Sequence, residues 1–188
     1  SNTDGVSLLS KNTSGSYNTY MIDAGIFRVR TTGTNSPTEA LRIDGNGRLL
    51  LGHTSSQDVY ATSKLQIQGT TAATSSLSLL RHGNSPYLTL VSSGGSSLGA
   101  VDALSSGDRI GQITFAGADG TDVNTHSASI AAYVDGSVSS NSVPADIAFQ
   151  FGTSETQKVV IKNSGTIELK AANAQFKSES TSSGDWVR

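Results

Sequence analysis

The same short pattern occurs twice in this chain, over residues 40–51 and 158–169. In each copy, apolar residues recur at every second position on two arms, and the parity is kept across the polar turn between them. Because strand side chains alternate between faces, four residues of each copy should share one face of a β-hairpin. They are Leu41, Ile43, Leu49 and Leu51 in the first copy, and Val159, Ile161, Ile167 and Leu169 in the second. A one-sided hairpin must cover this face with neighbouring modules or other chains, so we predict that these eight residues form a seam.

A polar turn joins the two arms of each copy. The turn residues are Asp44, Gly45, Asn46 and Gly47 in the first copy and Gly165 in the second. Asp-Gly and Asn-Gly pairs supply the positive φ that tight hairpin turns need. An EF-hand loop starts in a similar way, but it needs a bidentate Glu where this chain has Ser55. Lys162 also replaces Asp44 in the second copy, so we interpret both segments as turns and expect no metal.

The composition indicates a folded chain with a small hydrophobic core. Of the 188 residues, 35% are hydrophobic and the net charge is −2. Disordered chains usually combine low hydrophobicity with high charge, so the alternating apolar runs favour a fold, and burial shared between chains would enlarge the core. The 13 basic residues are scattered among 15 acidic ones, and no apolar run approaches the length of a membrane span. We therefore expect neither a nucleic-acid partner nor membrane insertion.

The absence of cysteine excludes disulfides, and a start at Ser1-Asn2 without a Met favours a fragment or a processed product. We divide the chain into three parts. They are a first hairpin module at 1–69, a second module at 70–170 with a β-rich insertion at about 97–145, and a C-terminal tail at 171–188.

Further strands are predicted from apolar alternation, and helices are nearly excluded. Each module opens on an apolar stretch that we predict to be a strand. The predicted strands are 6–9, 64–69, 77–80, 112–115, 130–134 and 147–151. Short helices fit only at 100–104 and 171–176.

Residues 39–52 resemble a repeat that is common in tail-fibre proteins of tailed bacteriophages. There, a strand ending in Arg-x-Ile precedes a Gly-bearing turn, a Val/Leu-Gly-Ile-Gly strand, a Thr/Ser-rich turn and a Lys-Leu-x-Val-x-Gly strand. Residues 53–56 and 64–69 occupy the last two places in order. The stretch 107–115 is also similar to fibre proteins, particularly those of marine and cyanobacterial phages. Two departures are Leu50, which stands where many relatives have Gly, and the lack of a counterpart to their C-terminal intramolecular chaperone.

The resemblance implies an all-β fold: an elongated, fibrous homotrimer built from repeated β-hairpin modules with a small β-rich insertion. Three parallel chains would turn their apolar faces inward, which makes the eight seam candidates contacts between copies. The resemblance also implies a location in the virion. The implied partners are the chain itself, other virion tail proteins, and a glycan or protein of the host surface.

Several residues are of types that carry chemistry in other proteins. Six aspartates cluster around the insertion, and a polysaccharide-cleaving tailspike would need two carboxylates a few ångströms apart. They are Asp102, Asp108, Asp119, Asp122, Asp135 and Asp146. Asp beside Gly is typical of turns, so we expect no catalytic residue. His53, His82 and His126 share no metal-ligand spacing, although one of them could meet its two copies on a trimer axis. Aromatic candidates for a sugar site are Tyr87, Phe115, Tyr133 and Trp186.

We therefore expect a structural and adhesive component of a tail fibre, without catalytic residues or cofactor, that attaches to the host through a multivalent trimer. Two alternatives remain open: a short tailspike-type enzyme that degrades polysaccharide, and a fibre or decoration protein attached to the capsid.

Overall fold

The computed structural model describes residues 25–31, 38–59 and 61–170, and this part of the chain is all-β. Its strands are β1 (Phe27–Thr31), β2 (Thr38–Ile43), β3 (Leu49–Leu51), β4 (Leu65–Ile67), β5 (Arg109–Gly117), β6 (Thr125–Val134), β7 (Ala145–Phe151), β8 (Thr156–Ile161) and β9 (Ile167–Leu169). A single 3-10 turn spans Ala72–Thr74, and the described residues hold no α-helix. None of the described segments forms a helix that could cross a lipid bilayer.

The strands form two sheets, which belong to two separate compact units. In the first sheet, β1–β2 and β2–β3 are antiparallel pairs, and β4 joins β3 in parallel. In the second sheet, β5 to β9 pair in chain order and all pairs are antiparallel. Short connections between sequential strands explain this meander, because a tight turn can join only antiparallel neighbours.

Both predicted hairpins form, and their turns are closed by corresponding bonds. In the β2–β3 turn, Gly47 N donates to Asp44 O at 2.9 Å and Asp44 N to Arg48 O at 3.0 Å. In the β8–β9 turn, Gly165 N donates to Lys162 O at 2.8 Å. Gly47 and Gly165 have φ values of 68° and 85°, the left-handed conformation in which glycine is favoured. The larger modules that would contain these hairpins remain a prediction.

Side chains hold the first turn as well. Asp44 Oδ1 accepts the Asn46 and Arg48 NH groups at 2.9 and 3.1 Å, and its Oδ2 accepts Arg48 Nε at 2.7 Å. Desolvation acts to raise the pKa of Asp44, but these hydrogen bonds outweigh it and lower the pKa. The second turn has Lys162 at the equivalent position, and this side chain reaches a different part of its sheet.

Other strand predictions have mixed outcomes. The predicted strands at 64–69, 112–115, 130–134 and 147–151 correspond to β4, β5, β6 and β7. The strand predicted at 77–80 is wrong: these residues pair with no strand, and Leu80 keeps 79% of its surface exposed. Residues 100–104 hold no helix, because the carbonyl groups of Ala100 and Asp102 are used by residues 93 and 94. The predictions at 6–9 and 171–176 lie outside the described residues.

Candidate functional site: two apolar sheet faces

One face of the first sheet is apolar and partly open. The pairs Leu41–Leu51 and Ile43–Leu49 place the four seam candidates of the first hairpin side by side, as expected for residues directly opposite in a sheet. Pairing with β1 and β4 extends this set to the first apolar face, which consists of Phe27, Val29, Leu41, Ile43, Leu49, Leu51, Leu65 and Ile67. Ile43 keeps 42% of its surface exposed and Leu65 keeps 50%. Within the described part of one copy, this face is therefore only half covered.

The opposite face of the same sheet is the buried one. Leu50 is 1% exposed, and Gln66 lies beside it on β4 and is also buried. Arg42 flanks Leu50 and donates to both carboxylate oxygens of Glu39, at 2.5 and 2.9 Å. The hydrogen bonds from Arg42 lower the pKa of Glu39. The sequence pattern does not predict the burial of Leu50, because a three-residue apolar run does not tell which face is covered.

The second sheet repeats this division on a larger scale. One row of apolar residues crosses all five strands, from Ile113 through Ile130, Phe149 and Val159 to Leu169. The second apolar face consists of this row and its neighbours Gly111, Phe115, Ala128, Ala132, Ile147, Phe151, Ile161 and Ile167. None of these residues is charged, and Phe115 and Ile167 are each more than half exposed. The seam candidates of the second hairpin lie at its β8–β9 end.

The other face of the second sheet is buried and carries both small apolar and polar residues: Ala131, Ala148 and Val160 are paired across it and at most 2% exposed. Ser129 and Gln150 are directly paired and only 2% and 3% exposed, and Ser129 Oγ donates to Gln150 Oε1 at 3.0 Å. Gln150 Nε2 in turn donates to Tyr133 Oη at 3.0 Å and to the Glu155 carbonyl at 2.9 Å. Buried polar groups are tolerated when they are paired in this way. The uniformly apolar face is thus the partly exposed one, and the mixed face is the covered one.

Glu155 connects this network to the sheet edge. It lies in the β7–β8 turn with φ of 49°, an uncommon conformation for a residue other than glycine. Its carboxylate pairs with Arg109, accepts Gln112 Nε2 at 3.3 Å, and lies 3.8 Å from His126 Nε2. Arg109 also lies 5.5 Å from the centre of the Tyr133 ring. Nothing in the sequence pattern singled out Glu155, because its partners come from strands distant in the chain.

Lys162 forms a second electrostatic cluster. Its ammonium group contacts Asp135 at 3.1 Å and pairs with Asp146, whose other oxygen accepts the Asn163 NH at 2.9 Å. Desolvation acts to raise the pKa of Asp146, but the bonds from Lys162 and Asn163 outweigh it and lower the pKa. The hydrogen bonds with Asp146 and Asp135 raise the pKa of Lys162. The cluster thus ties the β8–β9 turn to β7 and the end of β6.

The remaining aspartates considered for catalysis hold turns. Asp108 Oδ2 accepts the Ser105 NH at 2.7 Å, and Asp122 Oδ1 accepts the Asn124 NH at 3.1 Å. Asp119 accepts the Thr121 NH and the Thr125 hydroxyl, both at 2.8 Å, and these bonds lower its pKa. Asp102 contributes its backbone carbonyl to Gly94 NH.

The histidines and aromatic candidates do not converge on one site. His53 Nδ1 lies 2.7 Å from the Ser55 carbonyl, His82 is exposed, and the Nδ1 of buried His126 donates to the Gly152 carbonyl at 2.8 Å. Among the described residues, no group of three or more His, Cys, Asp or Glu could hold a metal ion. Of the aromatic candidates, Phe115 lies on the second apolar face, Tyr133 belongs to the polar network, and Tyr87 is exposed in an irregular segment. Trp186 lies outside the described residues.

These features define the described part of the chain as an all-β fold of two sheets, each with one face of partly exposed apolar side chains. Among solved structures, the chain is similar to the carboxy-terminal domain of the bacteriophage T5 L-shaped tail fibre, with a TM-score of 0.57 and 15% sequence identity. The similarity covers 100% of this chain and 95% of that one. At this identity the likeness concerns the fold, and it agrees with the predicted all-β class. No family model and no curated protein matches the chain.

Proposed function

We propose that this chain is a structural and adhesive part of a phage tail fibre, assembled as a homotrimer. The observation that carries the proposal is the pair of apolar faces, which a single copy leaves partly open in both sheets. Exposed apolar surface of this extent marks sites of association, and a closed symmetric oligomer covers it in every copy at once. The fold likeness to a domain of the T5 tail fibre supports the same class of protein. The likeness to marine and cyanobacterial phage fibres stays a prediction from sequence.

In this proposal the mechanism is mechanical and multivalent. The eight seam candidates contact other copies, while Ser- and Thr-rich loops on the outside meet a glycan or protein of the host surface. Three identical surfaces on one particle strengthen a weak contact through effective concentration, without a deep pocket in any copy. The chain acts in the virion, attached to other tail proteins.

The oligomeric state tests the assembly directly. Sedimentation equilibrium and native mass spectrometry at micromolar concentration should give three times the chain mass. A monomer under these conditions would contradict the proposal.

Adhesion is tested by binding of the intact assembly to host cell envelopes, compared with binding of the same chain diluted until it dissociates. Equal binding of the assembled and the dissociated chain would contradict the multivalent mechanism.

The enzymatic alternative has less support. Five of the six aspartates accept hydrogen bonds from turn backbone or pair with Lys162, which gives them structural roles in the fold. A depolymerase would release reducing ends from host polysaccharide and lose this activity in Asp108→Asn or Asp122→Asn. We expect no release from a broad polysaccharide panel.

Attachment to the capsid instead of the tail is a separate alternative. Antibody labelling of whole particles distinguishes the two.

A further inference from the structure

A half-open cavity lies between two loops of the second compact unit. One wall belongs to the segment 92–104, which precedes β5, and the other belongs to the β6–β7 loop at 138–143. The cavity has a volume of about 400 Å³. Sites for small molecules usually measure about 300–1,000 Å³, so the cavity is large enough to hold one.

Hydrogen bonds within each loop hold both walls in place. In the first wall, the Gly94 NH donates to the Asp102 carbonyl at 2.9 Å. In the second wall, Ser139 and Ser142 exchange two backbone hydrogen bonds, both at 3.0 Å. A ligand that enters a site held in this way has little loop ordering to bring about, which favours binding.

Asp102 lines this cavity, and the fold uses its backbone but not its carboxylate. Among the described residues, no hydrogen bond or ion pair to this carboxylate is found. The other five aspartates named above hold turns or pair with Lys162. Gly95 leaves room beside the carboxylate, since an added Cβ there would lie 2.9 Å from Asp102 Oδ2. The acceptor oxygens of Asp102 are therefore available to a ligand.

The other lining residues indicate what kind of ligand fits. Ser92, Ser139 and Ser140 supply hydroxyl groups, which can both donate and accept hydrogen bonds, whereas a carboxylate only accepts them. The hydroxyl groups of a sugar match this set, and the C–H groups of a sugar ring match the half-buried Leu104 and Val138. None of the described residues that line the cavity is basic, so an anionic ligand would meet a like charge without compensation. A lysine side chain of a host protein would need only the carboxylate and would leave the hydroxyl groups unused.

We propose that this cavity binds a neutral saccharide of the host surface. The Asp102 carboxylate accepts hydrogen bonds from sugar hydroxyl groups, and Ser139 and Ser140 complete the polar contacts from the opposite wall. This inference rests on the proposed adhesive function, and it names the site and the class of ligand. Three copies in one assembly present the cavity three times, so a weak contact in each is sufficient.

The test uses the intact assembly and polysaccharide released from host envelopes, which anion exchange separates into a neutral and an acidic fraction. Binding to each immobilised fraction is measured for the wild type, for Asp102→Asn and for Asp58→Asn, a matched control in which the exposed carboxylate lies outside the cavity. Asp102→Asn loses the charge-assisted hydrogen bonds, so its binding to the neutral fraction should weaken at least about tenfold. Binding of Asp58→Asn should be unchanged. Wild-type binding should vary little with ionic strength, because an uncharged ligand is not screened by salt.

A second variant tests the cavity without removing a charge. Ser140 is exposed in one copy, so Ser140→Phe should leave the fold unchanged while its ring occupies the cavity and abolishes binding to the neutral fraction. Ser164→Phe, in the exposed β8–β9 turn, should bind like the wild type.

The outcomes separate the site from the proposed function. Unchanged binding of Asp102→Asn or of Ser140→Phe overturns the saccharide site. Preference for the acidic fraction, or binding that is lost as the ionic strength rises, overturns the neutral ligand and favours a charged one. Each of these results leaves the proposed function standing if the assembly still binds host envelopes. An assembly that binds no host envelope overturns the proposed function itself.

Discussion

Two leucines on opposite faces of the first sheet allow burial within one copy to be separated from burial between copies. Leu50 is 1% exposed and Leu65 is 50% exposed, and they lie on adjacent strands. Truncation of a fully buried Leu to Ala removes its transfer free energy and leaves a cavity, so Leu50→Ala should destabilise each copy by about 3–5 kcal/mol. Leu65→Ala loses only the covered half in a single copy, about 1–2 kcal/mol.

Assembly should change this ranking. If the exposed half of Leu65 becomes buried against another copy, its truncation removes roughly a further 1 kcal/mol per copy, or roughly 3 kcal/mol for three copies. That difference corresponds to roughly a 150-fold weaker assembly constant. Leu50→Ala should act mainly on the fold of the single copy and much less on the association of folded copies.

The measurement combines urea unfolding with sedimentation velocity over a hundredfold range of protein concentration. We expect the effect of Leu65→Ala to grow with concentration, since it includes the interface, and that of Leu50→Ala to stay nearly constant. A concentration-independent effect of Leu65→Ala would refute the assignment of the first apolar face to contacts between copies. Equal effects of the two variants at high dilution would refute the assignment of burial within one copy.

Three further outcomes are expected. Gly47→Ala should destabilise the fold by about 1 kcal/mol in urea unfolding, because Gly47 has a φ of 68° that alanine adopts only with strain. Gly45 has no positive φ, so Gly45→Ala should be nearly neutral. Equal effects of the two variants would contradict the turn assignment. Folding lowers the pKa of Asp146, so the contribution of this carboxylate to stability is complete above the ordinary Asp pKa and is lost as the pH falls through the lower pKa of the folded state. Asp146→Asn should therefore make the free energy of unfolding less dependent on pH at the acid end. An unchanged pH dependence would argue against the pairing with Lys162. Glu155→Gln should lower the melting temperature more than Glu168→Gln, because Glu155 pairs with Arg109 and Gln112, whereas Glu168 pairs with half-exposed Lys170 at 3.6 Å. The reverse order would contradict the network.

The local sequence pattern was sufficient to predict strands in which apolar and polar residues alternate clearly. Four predicted strands and both hairpins form, because a period of two and a glycine with positive φ are properties of the residues themselves. The strand predicted at 77–80 does not form, because an apolar pattern alone does not supply a pairing partner. Apolar residues there favour burial, but a strand also needs a partner for its backbone, and the described residues provide none.

The sequence by itself determined the all-β class, the positions of the two hairpins, and which four residues of each hairpin share a face. Only the tertiary structure decided which face is covered. Leu50 and Val160 lie in the middle of apolar runs, and the pattern gives no preference between them and their neighbours. Pairing of β6 with β7 brings Ser129, Tyr133 and Gln150 together, and the β7–β8 turn adds the Glu155 carbonyl to this polar network. Leu50 and Val160 thus lie on the covered faces and the alternating apolar residues of the hairpins on the partly open ones, because strand pairing fixes the faces of all strands together.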